Sequence, residues 1–309
     1  MSILVWTARG TAKWLDGLDA RLEIAEIPAD PLADPRLGEV KVLIPPLMRN
    51  LQDEAYDLRT LMAGASSLEF VQAQTAGVDG IVGSVPHGVL LSSVRGAYDE
   101  LMAELLVAGI LTSYKSIPHY VHAQDAAAWQ PTEVRVVQGA KVLYVGYGSI
   151  AQCLERYLAP FGVESLKVAR TARDDIDSLD ALPRLLPSAD IVVLLTPLTP
   201  ETHNLVDEDF LAAMKPGALL VNGARGACVD TDALMAAARE RGIRAFLDVT
   251  EPEPLPDGHP LWSTPGVFIT PHIGSLVADN NERCFRVIRD NLTRWIEGEP
   301  VLNRVEHGY

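Results

Sequence analysis

Three side chains of complementary chemistry, Arg225, Glu253 and His272, lie in the second half of the sequence, each a short distance after an apolar segment. An arginine binds a carboxylate through two parallel hydrogen bonds, and a histidine can donate or accept a proton near neutral pH. A carboxylate beside an imidazole favours its protonated form and orients the ring. These residue types therefore predict acid–base chemistry on a substrate that carries a carboxylate.

The apolar segments before these residues are nearly continuous, which is typical of parallel strands buried on both faces. They are residues 218–221, 244–247 and 267–270. Ligands bind at the carboxyl ends of strands in such sheets, so the three side chains are predicted to share one edge. Taken singly, each has an ordinary explanation: a surface arginine, an exposed acidic proline-rich loop, a capping histidine. Their joint placement favours the catalytic interpretation.

A glycine-rich turn gives a second chemical signal. It follows the apolar residues 141–145 and opens a helical pattern, reading Gly146-Tyr147-Gly148-Ser149-Ile150-Ala151. This is the G-x-G-x-x-G/A arrangement, in which the first glycine permits the turn and the second lets the backbone approach a pyrophosphate. Free N–H groups at a helix N-terminus then face the phosphates. We predict a dinucleotide site that includes Gly146, Tyr147, Gly148, Ser149 and Ile150.

The end of the next strand bears on which dinucleotide is bound. An NAD enzyme usually places an acidic residue there to hold the ribose 2′-hydroxyl, whereas Arg170 stands 24 residues beyond Gly146, followed by Thr171 and Arg173. An arginine pairs well with a 2′-phosphate, and a hydroxyl can donate to it. The sequence therefore predicts a preference for NADP(H), with NAD(H) possible. The other explanation is a solvated loop that happens to hold two arginines.

Strand-like and helical segments alternate along the chain, which predicts an α/β protein with a doubly wound parallel sheet. Helices are predicted over residues 207–214 and 230–241, with Asp230 as N-cap and Gly242 as C-terminal stop. Longer helices are predicted over residues 98–111 and 279–296. In the first third, strands are predicted at residues 3–6, 40–44 and 68–72, a helix at 50–63, and the C-terminal tail is expected to pack there.

Length and composition restrict the class of protein. A chain of 309 residues suggests two domains at roughly 150 residues each, and 48% apolar residues suffice for a large core. The formal net charge of −15 argues against nucleic acid and anionic membranes as partners. Three scattered cysteines show no metal-ligand spacing, so no metal is predicted, and they fit a reducing compartment. No signal peptide or membrane span is apparent, so a cytoplasmic protein is expected.

With these motifs in order, the sequence resembles the D-isomer-specific 2-hydroxyacid dehydrogenase family over nearly its whole length. Beside the glycine turn, the matching segments are Ala76-Gly77-Val78-Asp79, Gly96-Ala97-Tyr98-Asp99, Ala103-Glu104, Thr196-Pro197-Leu198-Thr199-Pro200-Glu201-Thr202, Asn222-Gly223-Ala224-Arg225-Gly226, Asp248-Val249, Glu253-Pro254-Leu255-Pro256 and Pro271-His272-Ile273-Gly274. The ordered set is far more specific than any one motif.

The resemblance implies a doubly wound Rossmann cofactor domain inserted into a smaller flavodoxin-like α/β substrate domain, with the substrate in the cleft between them. We predict residues 94–275 for the cofactor domain and residues 1–93 with 276–309 for the substrate domain. Arg225, Glu253 and His272 match the family's catalytic positions. Glu251 is the alternative carboxylate, but Glu253 has the family spacing from Asp248.

The resemblance also implies ligand contacts. The backbone N–H groups of Ala76, Gly77 and Val78, together with Arg225, are expected to bind the substrate carboxylate. Asp248 matches a residue that contacts the nicotinamide carboxamide. The remaining residues predicted at the cofactor are Thr196, Pro197, Thr202, Ala224, His272 and Gly274. Departures from the family pattern are Ser92-Ser93 where asparagine is frequent, Ala151 in place of the third glycine, and Arg170 in place of an acid.

These observations predict an enzyme that transfers a hydride between NADP(H) and a small 2-oxo or D-2-hydroxy acid, of the glyoxylate or hydroxypyruvate type. The expected partners are the small-molecule substrate and a second copy of the chain in a homodimer. Two alternatives stay open at this point. One is a short phosphoglycerate dehydrogenase-like enzyme, and the other is a non-catalytic, cofactor-sensing protein like the corepressors that share the fold.

Overall fold

The computed structural model describes residues 2–47 and 56–306. The chain forms two compact units, one from Met1–Tyr98 with Val277–Tyr309 and the other from Asp99–Leu276. The second unit is therefore inserted in the chain of the first. Within the described ranges, no helix has both the length and the apolar character that crossing a membrane requires.

The strands are β1 (Ile3–Thr7), β2 (Leu22–Glu26), β3 (Val40–Ile44), β4 (Phe70–Gln72), β5 (Leu90–Ser92), β6 (Lys141–Val145), β7 (Glu164–Ala169), β8 (Asp177–Ser178), β9 (Ile191–Leu194), β10 (Leu219–Asn222), β11 (Arg244–Leu247) and β12 (Val267–Ile269). The α-helices are α1 (Leu58–Gly64), α2 (Asp79–Val82), α3 (Asp99–Tyr114), α4 (Ile117–Asp125), α5 (Ser149–Leu158), α6 (Leu182–Leu185), α7 (Glu208–Ala213), α8 (Thr231–Arg241) and α9 (Asn280–Glu297).

The first unit contains a five-stranded parallel sheet in the order β2-β1-β3-β4-β5. Strands β1 and β3 are almost entirely buried and carry Val, Ile, Leu and Trp side chains, which suit central strands. The C-terminal tail pairs with β5, where Val305 N donates to Leu91 O at 2.9 Å. The predicted return of the tail to the first third is thus confirmed.

A buried amide fixes helix α9 on this sheet. Asn291 Nδ2 donates to Gln72 Oε1 at 2.8 Å and to Ser92 Oγ at 2.9 Å, and its Oδ1 accepts from Leu302 N at 2.7 Å. Burying an amide is costly unless its donors and acceptors are satisfied, and here both ends of Asn291 are used. Ser92, noted above as a departure from the family, is one of these partners.

The second unit contains a seven-stranded parallel sheet in the order β12-β11-β10-β9-β6-β7-β8. Strands β9 and β10 are buried along their whole length, as the continuous apolar pattern predicts. Helix α8 begins as expected, because the Asp230 side chain accepts from Ala233 N, and it ends at Gly242 with a φ of 65°. Strands β10, β11 and β12 are neighbours and parallel, so their carboxyl ends lie on the same edge.

Several elements were not predicted, and they share shortness or partial exposure. Strand β2 lies at a sheet edge with no fully buried residue, β5 has three residues and β8 has two. Such segments carry too few buried positions for a clear period. Of the helix predicted at residues 50–63, the part up to residue 55 lies outside the described residues, residues 56–57 precede α1, and residues 58–63 fall within it.

Candidate active site

Three loops leave the same edge of the large sheet. Strand β10 leads to Arg225, β11 leads to Glu253 and β12 leads to His272, and these strands are adjacent in the order β10-β11-β12. Their parallel direction brings the three predicted side chains to the carboxyl edge of one sheet. No cluster of metal-ligating side chains is found within residues 2–47 and 56–306.

The histidine and the glutamate are in direct contact. His272 Nδ1 lies 2.6 Å from Glu253 Oε1, and about half of each side chain is exposed, 51% and 41% respectively. Glu253, and not Glu251, is therefore the carboxylate that meets the imidazole. His272 Nε2 has no hydrogen-bond partner in the described part of the chain. The arrangement leaves Nε2 as the atom that can exchange a proton with a ligand.

The backbone at His272 has a conformation that few residues adopt. Its φ is 54°, in the left-handed region, where histidine occurs more often than most side chains. The His272 N–H donates to Asp248 O at 2.8 Å and approaches Thr270 O at 3.0 Å. These bonds hold the residue in a conformation that costs free energy, which is a common property of functional positions.

Asp248, at the end of β11, holds the His272 loop with its carboxylate. Its Oδ1 accepts from Thr270 Oγ1 at 2.6 Å and from Ile273 N at 2.9 Å, and its Oδ2 accepts from Gly274 N at 3.1 Å. The side chain is fully buried, with 1% of the residue exposed. Sequence reasoning assigned Asp248 to a cofactor contact and missed this role. The only sign of this role in the sequence was the position of Asp248 directly after a buried strand.

The arginine loop is shaped by Asn222, the last residue of β10. Asn222 Oδ1 accepts from Ala224 N at 3.0 Å, and its Nδ2 donates to Arg225 O at 2.9 Å. Arg225 is half-buried and its Nη1 donates to Ala224 O at 2.8 Å. The buried amide therefore closes a tight turn that sets the starting direction of the Arg225 side chain.

Glycines bring neighbouring loops close to this turn. A Cβ atom on Gly226 would lie 1.8 Å from Thr250 O, in the loop that carries Glu253. On the other side, a Cβ atom on Gly223 or Gly274 would meet the Met102 side chain of α3, at 3.0 and 2.3 Å. Sequence reasoning missed Met102, because an apolar residue on a helix gives no sign of which loop it will touch.

The glycine turn lies at the carboxyl end of β6, as predicted. Gly146 has a φ of 97°, and a Cβ atom there would lie 2.7 Å from backbone atoms of Leu195 and Thr196. A Cβ atom on Gly148, by contrast, would meet nothing within 4 Å. Ala151 is completely buried, so the small residue in the third position packs the helix on the sheet. The open space at Gly148 faces the start of α5, where helix N–H groups lack intrahelical partners.

An ionic cluster lies beside this turn. The Tyr147 side chain is buried, its hydroxyl donates to Glu155, and Lys167 Nζ lies 4.9 Å from the centre of its ring. Burial, followed by the bond to Glu155, raises the pKa of Tyr147. The hydrogen bond between Lys167 and Asp175 raises the pKa of the ammonium and lowers the pKa of the carboxyl group. The Tyr147 ring is therefore engaged within the protein, and its N–H donates to Val168 O at 3.0 Å.

The other predicted cofactor residues lie on three loops of the same edge, after β7, β9 and β10. Arg170, Thr171 and Arg173 follow β7 and are exposed, and Arg173 Nη2 donates to Tyr147 O at 3.1 Å. After β9, Thr196 is buried and Thr202 Oγ1 donates to Pro197 O at 2.6 Å, which folds the loop back on itself. Ala224 is buried next to Arg225.

The predicted substrate loop, residues 76–78, belongs to the first unit. Thr75 Oγ1 donates to Gly77 O at 2.6 Å. The carbonyl oxygen of Gln74 accepts from Tyr98 OH at 3.0 Å and, more weakly, from Cys284 Sγ at 3.6 Å. Burial raises the pKa of the Cys284 thiol to about 12, so it stays a donor. The loop is therefore held at its start by buried side chains.

Comparison with known proteins decides the family. The family model described as "D-isomer specific 2-hydroxyacid dehydrogenase, NAD binding domain" matches residues 107–274. The chain belongs to the D-isomer-specific 2-hydroxyacid dehydrogenases. It is thus an enzyme, and the family and the parallel α/β fold predicted from the sequence are confirmed.

Relatives of this dehydrogenase cover most of its length. A glyoxylate reductase of Thermofilum pendens is 31% identical over 281 residues, covering 83% of both chains. A glyoxylate reductase/hydroxypyruvate reductase of Homo sapiens is 29% identical over 270 residues, covering 83% of this chain and 82% of that protein. The crystal structure of a D-isomer specific 2-hydroxyacid dehydrogenase from Xanthobacter autotrophicus Py2, in complex with NADPH and MES, matches with a TM-score of 0.84 and 30% identity, covering 100% of this chain and 99% of that one.

The close approach at Gly226 generates a testable prediction for the dehydrogenase. Gly226→Ala places a methyl group against backbone atoms of Thr250, so the Arg225 and Glu253 loops must separate. We expect a loss of about 1–3 kcal/mol of stability. Because small misplacements of reacting groups are costly, kcat/KM should fall about tenfold or more. Thermal unfolding and steady-state kinetics measure the two effects.

Gly148→Ala is the matched control for stability, because its added Cβ meets no atom within 4 Å. Its Tm should stay within about a degree or two of the parent, the range of a neutral surface substitution. An unchanged Tm and kcat/KM in Gly226→Ala would show that the two loops do not depend on this contact.

Proposed function

We propose that this dehydrogenase reduces a small 2-oxo acid, of the glyoxylate or hydroxypyruvate type, with NADPH as the preferred cofactor. The observation that carries the proposal is the 2.6 Å contact between His272 Nδ1 and Glu253 Oε1 on the sheet edge that also bears Arg225. A proton donor with its carboxylate partner and a cation for an anionic substrate are what the reduction of a 2-oxo acid needs from a protein.

Each side chain has a distinct role in this proposal. Arg225 binds the substrate carboxylate and so fixes the adjacent carbonyl group. His272 Nε2 gives a proton to the carbonyl oxygen, which becomes the hydroxyl of the product, and it takes that proton back in the oxidation direction. Glu253 bonds to Nδ1, which orients the ring and stabilises the positive charge on the imidazole before the transfer. The nicotinamide, when bound, supplies the hydride to the carbonyl carbon.

The residues at the glycine turn fit a dinucleotide. Gly148 leaves a space that any side chain would fill, and the first turn of α5 offers backbone N–H groups next to that space. Ser149 and Ile150 supply such groups, and Gly146 is required for the turn itself. Tyr147 shapes the turn, because its ring packs inside the protein and its N–H donates to Val168 O.

Support for NADPH comes from the loop after β7. Arg170 directly follows that strand, where an acidic residue would hold the ribose hydroxyl of NAD. Arg170 makes no ion pair or hydrogen bond within the described residues, and its charge acts on the Glu201 carboxylate only at longer range, so its guanidinium is available to a 2′-phosphate. A related dehydrogenase of Xanthobacter autotrophicus Py2, 30% identical, was crystallised with NADPH.

The loop at residues 76–78 suits the carboxylate-binding role that the family resemblance implies. In the described chain, neither the Ala76 N–H nor the Gly77 N–H donates a hydrogen bond. Thr75 and the partners of Gln74 fix the loop in place, so these donors cost little ordering when an anion binds. Two backbone N–H groups of this kind recognise the carboxylate of a 2-oxo acid and tolerate variation in the rest of the substrate.

A substrate and cofactor panel tests the proposal directly. Initial rates with NADPH and NADH are measured for glyoxylate, hydroxypyruvate, pyruvate and 3-phosphohydroxypyruvate. We expect the highest kcat/KM for glyoxylate or hydroxypyruvate, and a higher kcat/KM with NADPH, because Arg170 gains a phosphate partner. A preference for 3-phosphohydroxypyruvate would favour the phosphoglycerate alternative, and a clear NADH preference would overturn the cofactor assignment.

Replacing the proton donor separates catalysis from binding. His272→Ala removes the imidazole but leaves the glycine turn and the Asp248 carboxylate intact. We expect kcat to fall by roughly 10²–10⁴, the usual contribution of a general acid, with little change in NADPH affinity. His122→Ala, on the exposed face of α4, is the matched control and should keep the parental kcat. A near-parental kcat in His272→Ala would refute the assigned role.

A further inference from the structure

A small hairpin follows the strand end that carries Arg170. Arg173 N donates to Ile176 O at 2.9 Å, and Ile176 N donates to Arg173 O at 2.7 Å. Asp174 and Asp175 form the two-residue turn between them, with Asp174 in the left-handed region at a φ of 44°. The hairpin is therefore a closed unit within the loop proposed to meet the cofactor.

Three contacts fix this hairpin to the rest of the unit. The Ile176 side chain is buried in the hydrophobic core. Asp175 Oδ2 lies 2.9 Å from Lys167 Nζ. Arg173 Nη2 donates to Tyr147 O in the glycine turn at 3.1 Å. One contact is apolar, one is ionic and one is a hydrogen bond to backbone, so the hairpin is held by three different partners.

Lys167 connects the hairpin to the glycine turn. Besides Asp175, its Nζ lies 3.2 Å from Glu155 and 4.9 Å from the centre of the Tyr147 ring. Only 16% of the Lys167 side chain is exposed, so the ammonium is screened less than a surface lysine. The same cation thus touches the helix after the glycine turn, the side chain within the turn and the hairpin.

The two arginines of this loop are in different situations. Arg173 already uses one N–H on a backbone carbonyl, which sets its direction, whereas Arg170 makes no hydrogen bond or ion pair within the described residues and has only a longer-range electrostatic interaction with Glu201. A 2′-phosphate bound by both arginines would contact the fixed guanidinium of Arg173 and the adjustable guanidinium of Arg170. The position of the fixed guanidinium depends on where the hairpin sits.

We propose that Lys167 and Asp175 are positioning residues for cofactor selection. Their ion pair holds the hairpin at residues 173–176 against the glycine turn, and this sets where Arg173 meets the 2′-phosphate of an NADP-type nucleotide. The inference rests on the proposed NADPH preference. Neither residue touches the phosphate; they act through the placement of the hairpin.

The direction of the affinity change in Asp175→Asn distinguishes a positioning role of Asp175 from a simple electrostatic effect of its charge. Asp175→Asn removes a negative charge close to the proposed phosphate site, so electrostatics alone predicts tighter binding of a phosphate. Positioning predicts weaker binding, because the hairpin loses its bond to Lys167. Asp174→Asn is the matched control, since it removes the neighbouring charge, breaks no contact within the described chain and keeps a residue that tolerates positive φ.

The experiment measures binding of adenosine 2′,5′-bisphosphate and adenosine 5′-monophosphate to the full-length protein by calorimetry. For Asp175→Asn we expect about two- to fivefold weaker binding of the bisphosphate, the range for loss of one exposed ion pair, and unchanged binding of the monophosphate. Asp175→Glu should recover most of the loss. Asp174→Asn should bind the bisphosphate as tightly as the parent or more tightly. Thermal unfolding confirms that each variant is folded.

The outcomes separate this inference from the proposed function. If the parent protein binds the bisphosphate no better than the monophosphate, the NADPH preference fails, and the positioning role fails with it. If the parent prefers the bisphosphate but Asp175→Asn keeps or improves that preference, the positioning role alone is overturned. Equal weakening of both nucleotides in Asp175→Asn would also overturn it, because the pair would then support the whole turn.

Discussion

The Asp248 carboxylate is buried at the end of β11 and accepts hydrogen bonds from Thr270 Oγ1 and from the N–H groups of Ile273 and Gly274. A charge removed from water is tolerated only when its oxygens are satisfied, and these donors all come from the segment after β12. That segment must therefore wrap around the carboxylate. His272 lies in the middle of it with a left-handed backbone, so the direction of its side chain follows from the burial of Asp248.

The rest of the candidate site is built from the same edge. Parallel pairing of β10, β11 and β12 makes their carboxyl ends neighbours, and small residues then allow their loops to approach. Gly226 lies against Thr250 backbone, and Gly274 lies against Met102 of α3. A side chain at Gly226 would separate the loops that carry Arg225 and Glu253, and a side chain at Gly274 would push the His272 loop against Met102. The packing of the loops thus determines the active-site geometry as much as the identity of the reactive residues does.

Much of this arrangement could be predicted from the sequence. Continuous apolar strands indicated the parallel sheet, and the positions after them indicated Arg225, Glu253 and His272. The spacing from Asp248 favoured Glu253 over Glu251, and the contact of Glu253 with His272 Nδ1 agrees with that choice. The second role of Asp248 and the contact of Met102 with two glycines were not predictable, since both depend on partners far away in the chain. The same holds for Lys167, whose partners lie on three different segments.

In the proposed mechanism His272 and Glu253 act as one unit, and a double-mutant cycle on kcat/KM measures this directly. The cycle compares His272→Asn, Glu253→Gln and the variant with both substitutions. If Glu253 acts only through the imidazole, the second substitution adds almost nothing to the first, and the double variant is as active as His272→Asn alone. Losses that simply multiply would show that the two residues act independently, and this result would contradict the account.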